Sequence, residues 1–187
     1  KPEPALAEKL ALIEDSGIAV LRLQDPRVGP QGRAIAEALP RAIGLKRPKP
    51  GLNLAEGLVY GAVPGSVGSL AQRIKAALGT TTVRLVGDPA TLAHGVAFAT
   101  ETSRPNALAP LISRTDVNLL IAGEVHETET TAYVLDAIAL GQRKALLLVG
   151  SIEIEEPAAS ALADVLGKLV AQPVTYLRSA PALVDVT

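Results

Sequence analysis

Apolar residues in this chain cluster in two patterns, and the alternation between them sets the predicted fold. Near-continuous apolar runs at 117–122 and 145–149 are each closed by a polar turn, Gly123-Glu124 in one case and Gly150-Ser151 in the other. Runs of that kind suit strands covered on both faces, as in a parallel sheet. Between them, residues 128–141 place Val134, Leu135 and Ile138 at helical spacing, long enough for a crossover. Two neighbouring parallel strands would then deliver Glu124, His126 and Glu127 beside Glu153 and Glu155. In open α/β sheets the carboxyl edge of the strands is where ligands bind. That edge is the candidate site.

The rest of the chain repeats the alternation. Helices are predicted at 2–15, 32–43 (restarting near Pro40), 66–78 with a Ser66 cap and a Gly79 stop, 105–114 and 157–170. Short strands are predicted at 18–23, 57–63, 81–86, 94–100 and 174–177. Residues 44–53, rich in Pro, Lys and Gly, read as an exposed connection whose basic run is solvated surface. Strands alternating with helices place the chain in the α/β class.

Composition narrows the chemistry. With 187 residues and 48% apolar content the chain can bury a real core. Three Tyr, one Phe and no Trp leave no platform for stacking nucleic-acid bases. A formal charge of −1 gives no general attraction to phosphate backbones or anionic membranes, so neither partner is expected. The absence of Cys removes disulfides, thiolate metal sites and cysteine nucleophiles. With no apolar run of membrane-spanning length and no secretory signal pattern, a cytoplasmic location is expected. The chain has no Met even at position 1, which predicts a trimmed or processed piece of something longer.

Each candidate group has a structural reading beside the functional one. Glu153, Glu155 and Glu156 precede Pro157, a favoured first residue of a helix, where acidic groups complement the helix dipole by roughly 0.3–1 kcal/mol each. Alternatively they hold a divalent cation at a strand exit. His126 follows Glu124 by two residues on the same edge and is an acid–base candidate, whereas His94 reads as structural. Gly61, Gly65 and Gly68 match neither a dinucleotide nor a P-loop fingerprint, although Gly65 and Ser66 at a helix start could hold an anion. No nucleophile-elbow or zinc-protease motif is present.

The stretch AGEVHETETTAYVLDAIALGQRKALLLVGSIEIEEP resembles the C-terminal half of the Nif-three-like dinuclear metal-centre family. That family has a Gly-Glu strand exit, a helix ending before a Gly, an apolar strand, and then Gly-His with a Glu four residues after the His. GIAVLRLQDPRVGPQGRAIAEALPRAIGL is similar to its strand carrying a His-Asp pair, and LVYGAVPGSVGSLAQRIKAALGTTTVRLVGDP to its middle segment. The resemblance implies a metal-site domain begun in 1–50, a middle α/β segment over 51–115, and a C-terminal βαβ unit over 116–187 completing that domain. It implies a toroidal homo-oligomer, commonly a hexamer, and metal-assisted hydrolysis of a nucleotide-like or phosphate-bearing substrate, the family's type-two GTP cyclohydrolase label being a weak guide. Asp25 and Glu155 would be ligands for Zn, Mn, Fe or Mg, with Glu124 and His126 as acid–base groups. Two positions depart from the pattern: Gln24 stands at the strand-end His and Ser151 in the Gly-His pair, and the family's N-terminal metal-binding segment has no counterpart here. Imidazole is a strong transition-metal ligand, whereas a hydroxyl or amide is weak. The competing expectation is a non-catalytic oligomeric scaffold or binding protein with a degenerate metal site. A third is an anion-binding module at Gly65 and Ser66.

Overall fold

In a computed structural model the described residues are 3–22, 32–50, 57–99 and 105–179, and they form an α/β fold around one mixed sheet. The elements are α1 (Pro4–Ser16), α2 (Gly32–Ala36), α3 (Ala38–Ala42), β1 (Leu58–Tyr60), α4 (Val67–Leu78), β2 (Arg84–Val86), β3 (Val96–Ala99), α5 (Pro105–Ser113), β4 (Leu119–Ala122), α6 (Ala132–Ala139), β5 (Ala145–Leu148) and α7 (Ser151–Leu169). A single π-helical turn, Glu127–Thr131, leads into α6.

The sheet order is β1-β3-β4-β5-β2. β3, β4 and β5 are parallel, with Leu120 opposite Ala97 on one side and Leu146 on the other; β1 and β2 close the edges antiparallel. Alternate strand residues face opposite ways, as the period of two requires. Phe98, Leu119, Ile121 and Leu147 pack with α4, α7 and residues 36–45, while Ala97, Leu120, Leu146 and Leu148 pack with α5 and α6. Burial on both faces is what the continuous apolar runs required. Two of the few aromatics, Tyr60 and Phe98, are spent in the core.

Local signals work where they are self-contained. Ser66 caps α4 by accepting the Ser69 N–H at 3.3 Å, and Gly79 ends it in the left-handed region at φ 59. The helix near Pro40 restarts at Ala38, so Pro40 lies in a first turn, where its missing N–H costs nothing.

Three expectations are corrected. Residues 18–22 form no strand: Ile18, Val20 and Leu21 are 65%, 67% and 84% exposed, because no described neighbour offers a ladder or cover. Residues 174–177 likewise form no strand, and Leu177 is 82% exposed. α7 starts at Ser151, six residues before Pro157, which therefore sits inside the helix. Among the described residues no helix is long and apolar enough to cross a membrane.

Candidate functional site

The two parallel strand exits lie side by side. Pairing runs past the strands: Val149 N–H donates to Ala122 O and Gly150 N–H to Gly123 O, both at 3.0 Å. The exits then touch. A side chain at Gly123 would begin 3.0 Å from Ser151 Cα and 3.3 Å from its Oγ, so a larger residue would press the end of β4 against the start of α7. Gly150, at φ 102, makes the sharp entry into that helix, a conformation that favours glycine.

Around this junction the predicted residues are distributed as follows. Glu124 and His126 are exposed, and Val125 between them packs on the α5–α6 face. The His126 carbonyl accepts the N–H groups of Glu129 and Thr130, both at 3.0 Å, and so starts the π-helical turn. Such turns often occur at functional sites. Thr131 Oγ1 within it is buried without a hydrogen-bond partner. Glu127 pairs with Arg84, Nη1 to Oε1 at 3.3 Å. Arg84 opposes Leu148 at the end of β5, so this ion pair crosses the β5 exit from β2 to the segment after β4.

On the α7 side Ser151 Oγ is buried without a partner. Glu153 is 8% exposed and its carboxylate folds back over Gly150. Glu155 is half-buried in the helix. Glu156 accepts the Tyr176 hydroxyl and, at 3.0 Å, the Ser179 N–H, which anchors the segment after α7. Glu153 and Glu156, three residues apart on α7, thus engage different partners. Asp25 and Gln24 lie outside the described residues.

At Gly65 and Ser66 the hydroxyls take part in the start of α4. Ser66 Oγ caps α4, and Ser69 Oγ donates to Ser66 O at 2.8 Å. The clefts lie elsewhere. One of about 380 Å³ runs between α3, α7 and residues 176–178, and one of about 360 Å³ opens beside Asn118 and Lys144 at the opposite edge.

That opposite edge carries a polar network that sequence reasoning missed. Lys144, 7% exposed, donates from Nζ to the carbonyls of Arg114 (2.8 Å) and Val117 (2.6 Å). Burial pushes its ammonium below the usual lysine range, with Asp116 opposing the shift. Asp116 accepts from Arg114 Nε and Lys49 Nζ, each at 2.8 Å. Those bonds hold its carboxyl well below the usual carboxylate range. Asn118 Oδ1 accepts the N–H groups of His94 and Gly95 at 3.0 and 3.1 Å, and its amide donates to Leu92 O at 2.8 Å. The available signal was a polar residue within or at the head of an apolar run, which must find partners when buried.

Solved structures share this architecture. The protein TTHA1606 from Thermus thermophilus matches with a TM-score of 0.67 at 18% identity, over 98% of this chain and 71% of its own. The protein ybgI, described as of unknown function, matches with a TM-score of 0.60 at 20% identity, over 80% of this chain and 57% of its own. A Bacillus cereus protein related to NIF3 covers 60% of this chain at 16% identity and a TM-score of 0.46. The fold is shared with TTHA1606 and ybgI. The chain spans 30% of the length of the Staphylococcus aureus protein SA1388 and 29% of the Bacillus protein. No protein-family profile and no curated protein matches it.

The dinuclear centre implied by resemblance to Nif3-like proteins can be tested against the residues present. Among the described residues no three or more His, Asp and Glu side chains gather to hold an ion. The expected imidazole position holds the Ser151 hydroxyl, buried beside Gly123. Among the described residues, the donors near the two strand exits are carboxylates and one hydroxyl, and a hydroxyl is a weak transition-metal ligand.

Proposed function

We propose that this chain is a non-catalytic assembly module on a Nif3-like fold, an oligomeric scaffold whose N-terminal arm is covered by a second copy. The observation that carries this reading is the arm itself. α1 has no buried residue, and Leu6, Leu10 and Leu12 are 47%, 52% and 70% exposed, continuing into exposed Ile18, Val20 and Leu21. Yet the helix is locally specified. The Glu3 carboxylate accepts the N–H groups of Ala5 and Leu6, and Gly17 closes the helix at φ 64. A 13-residue helix without tertiary packing is marginal in water. Six side chains exposed to this degree present on the order of 500 Å² of apolar surface, near the few-hundred limit for monomers and approaching the ~800 Å² each partner gives a standard interface. Light scattering during gel filtration at micromolar concentration is expected to give a dimer or a larger closed ring. Leu10→Glu with Val20→Glu should return it to monomer with unchanged circular dichroism from the sheet. A wild-type chain that stays monomeric would sink the idea.

The second reading is a metal-assisted hydrolase of a nucleotide-like or phosphate-bearing substrate, with Asp25 and Glu155 as ligands and Glu124 and His126 as acid–base groups. The placement of Glu124 and His126 on the carboxyl edge favours it. It expects Mn- or Zn-dependent phosphate release from a nucleoside triphosphate that Glu124→Gln and His126→Asn both abolish. Turnover unchanged in both variants, or none in wild type, removes it.

A further inference from the structure

We infer that the amino edge of the sheet binds the phosphate group of a small organic phosphate, held by Arg143 and Lys144 in the cleft between the turn before β4 and the turn into β5. This goes beyond the assembly reading and does not depend on it.

Space comes first. The cleft measures about 360 Å³, the scale of a small-molecule pocket, and its wall includes His94, Thr115, Gln142, Arg143 and Lys144. As the chain leaves α6, Gln142 N–H donates to Ala137 O at 2.9 Å, and residues 142–144 then run along the cleft into β5. An adjoining cleft of about 410 Å³ shares these three residues and has Leu92 and Ile138 on its wall. It gives the organic part of such a ligand a place beside the phosphate.

Charge decides the ligand class. The buried Lys144 ammonium donates to the Arg114 and Val117 carbonyls, which are neutral, and it has a third N–H to give. Among the described residues neither Lys144 nor Arg143 has a carboxylate in an ion pair. Asp116 acts on Lys144 through space, but its hydrogen bonds go to Arg114 and Lys49. None of the described residues lining the cleft is acidic. The carboxylate of the adjoining cleft, Asp88, accepts the Ala90 N–H at 2.8 Å. Two cations on a wall without a carboxylate match a doubly charged anion. A phosphate monoester carries about −1.5 to −2 near neutral pH and presents several acceptor oxygens. The planar fork of Arg143 suits two of those oxygens, and Thr115 and Gln142 supply neutral donors beside it. A monocarboxylate would leave one cation unmet, and a divalent metal would find no ligand charge here.

The experiment uses the full chain and inorganic phosphate, with acetate and chloride at the same ionic strength as controls. Binding is read by equilibrium dialysis and by thermal unfolding at pH 7. Wild type should take up about one phosphate per chain in a saturable way, with a Tm rise that follows the bound fraction. Acetate and chloride should give no such rise. Arg143→Gln should weaken phosphate binding about tenfold or more, the effect of losing a charge-assisted pair. Arg143 is exposed, so this substitution leaves the core intact. Arg84→Gln removes the same charge at the opposite edge, from a side chain 56% exposed, and should bind phosphate as wild type does. Absence of saturable binding to wild type overturns the inference, as does equal stabilisation by acetate. Equal loss in both arginine variants, or undiminished binding by Arg143→Gln, overturns it as well.

Discussion

The two edges of this sheet hold similar side chains and use them differently. At the amino edge, where β4 and β5 begin, Lys144, Asn118, Asp116, Arg114 and Lys49 interlock through bonds of 2.6–3.1 Å. Several of their partners are backbone groups that burial would otherwise orphan. At the carboxyl edge Glu124 and His126 face solvent, Arg84 and Glu127 meet at 3.3 Å with both side chains mostly exposed, and Ser151 has no partner. Titratable residues in a constellation are therefore a poor guide to chemistry on their own. In this fold the shifted groups staple turns, and the conventional ligand edge is held by glycine contact and one exposed pair. Substitutions should accordingly cost most at the amino edge.

The largest effect is expected at Gly95. Its carbonyl accepts the N–H groups of Asn118 and Leu119 at 2.9 and 3.0 Å, and a Cβ there would fall 1.8 Å from the Asp116 carbonyl oxygen. Both parties are backbone, so neither side can rotate away. Gly95→Ala should cost about 3 kcal/mol or leave the chain unfolded, read by denaturant titration. Asn118→Ala comes next. It orphans two N–H groups and the Leu92 carbonyl, and should lower stability by about 2–4 kcal/mol. If either variant unfolds at the wild-type midpoint, the amino edge does not staple the sheet.

Sequence made one of these edges visible and hid the other. Parallel pairing of β4 with β5, the crossover between them and the carboxyl-edge placement of Glu124 and His126 all follow from apolar run length and turn residues. These are local signals. The amino-edge network joins residues distant in sequence, such as Lys49 to Asp116 and Lys144 to Arg114, and no periodicity records which partner a lysine will find. Asn118 stays hidden because it sits in an apolar run that reads as strand throughout. Pro157 misleads in the opposite direction. It is favoured in a first turn, but Gly150 at φ 102 and the packing of Ile154 into the core start α7 a turn and a half earlier. The extended arm at 18–22 shows the limit of strand propensity, since β-branched residues make a strand only where a neighbour pairs with them.

At the carboxyl edge the comparison predicts a gain. Ser151→Ala removes a buried hydroxyl that has no partner and leaves the Cβ in place beside Gly123. Its stability should be unchanged or higher by about 1 kcal/mol, the desolvation penalty of one unmet hydroxyl. A loss of more than that would mean the hydroxyl makes a bond that matters, and would reopen this position as a ligand site.

The smallest effect separates the edges by pH. Asp116 titrates below its ordinary range because Arg114 and Lys49 donate to its charged form. Its folded pKa lies under the unfolded value of about 4, so the stability it contributes is complete above that value and fades as the pH falls through it toward the folded pKa. The side chain is 37% exposed, and solvent screening keeps the contribution below about 1 kcal/mol. Asp116→Asn should therefore be slightly less stable than wild type at pH 7, and that gap should narrow by pH 3. Added salt should narrow it at pH 7 as well, because a partly exposed pair is screened. The Arg84–Glu127 pair, more exposed still, should show a smaller gap between wild type and Glu127→Gln at pH 7. If the carboxyl-edge gap proves the larger of the two, the order of the edges drawn from burial is wrong.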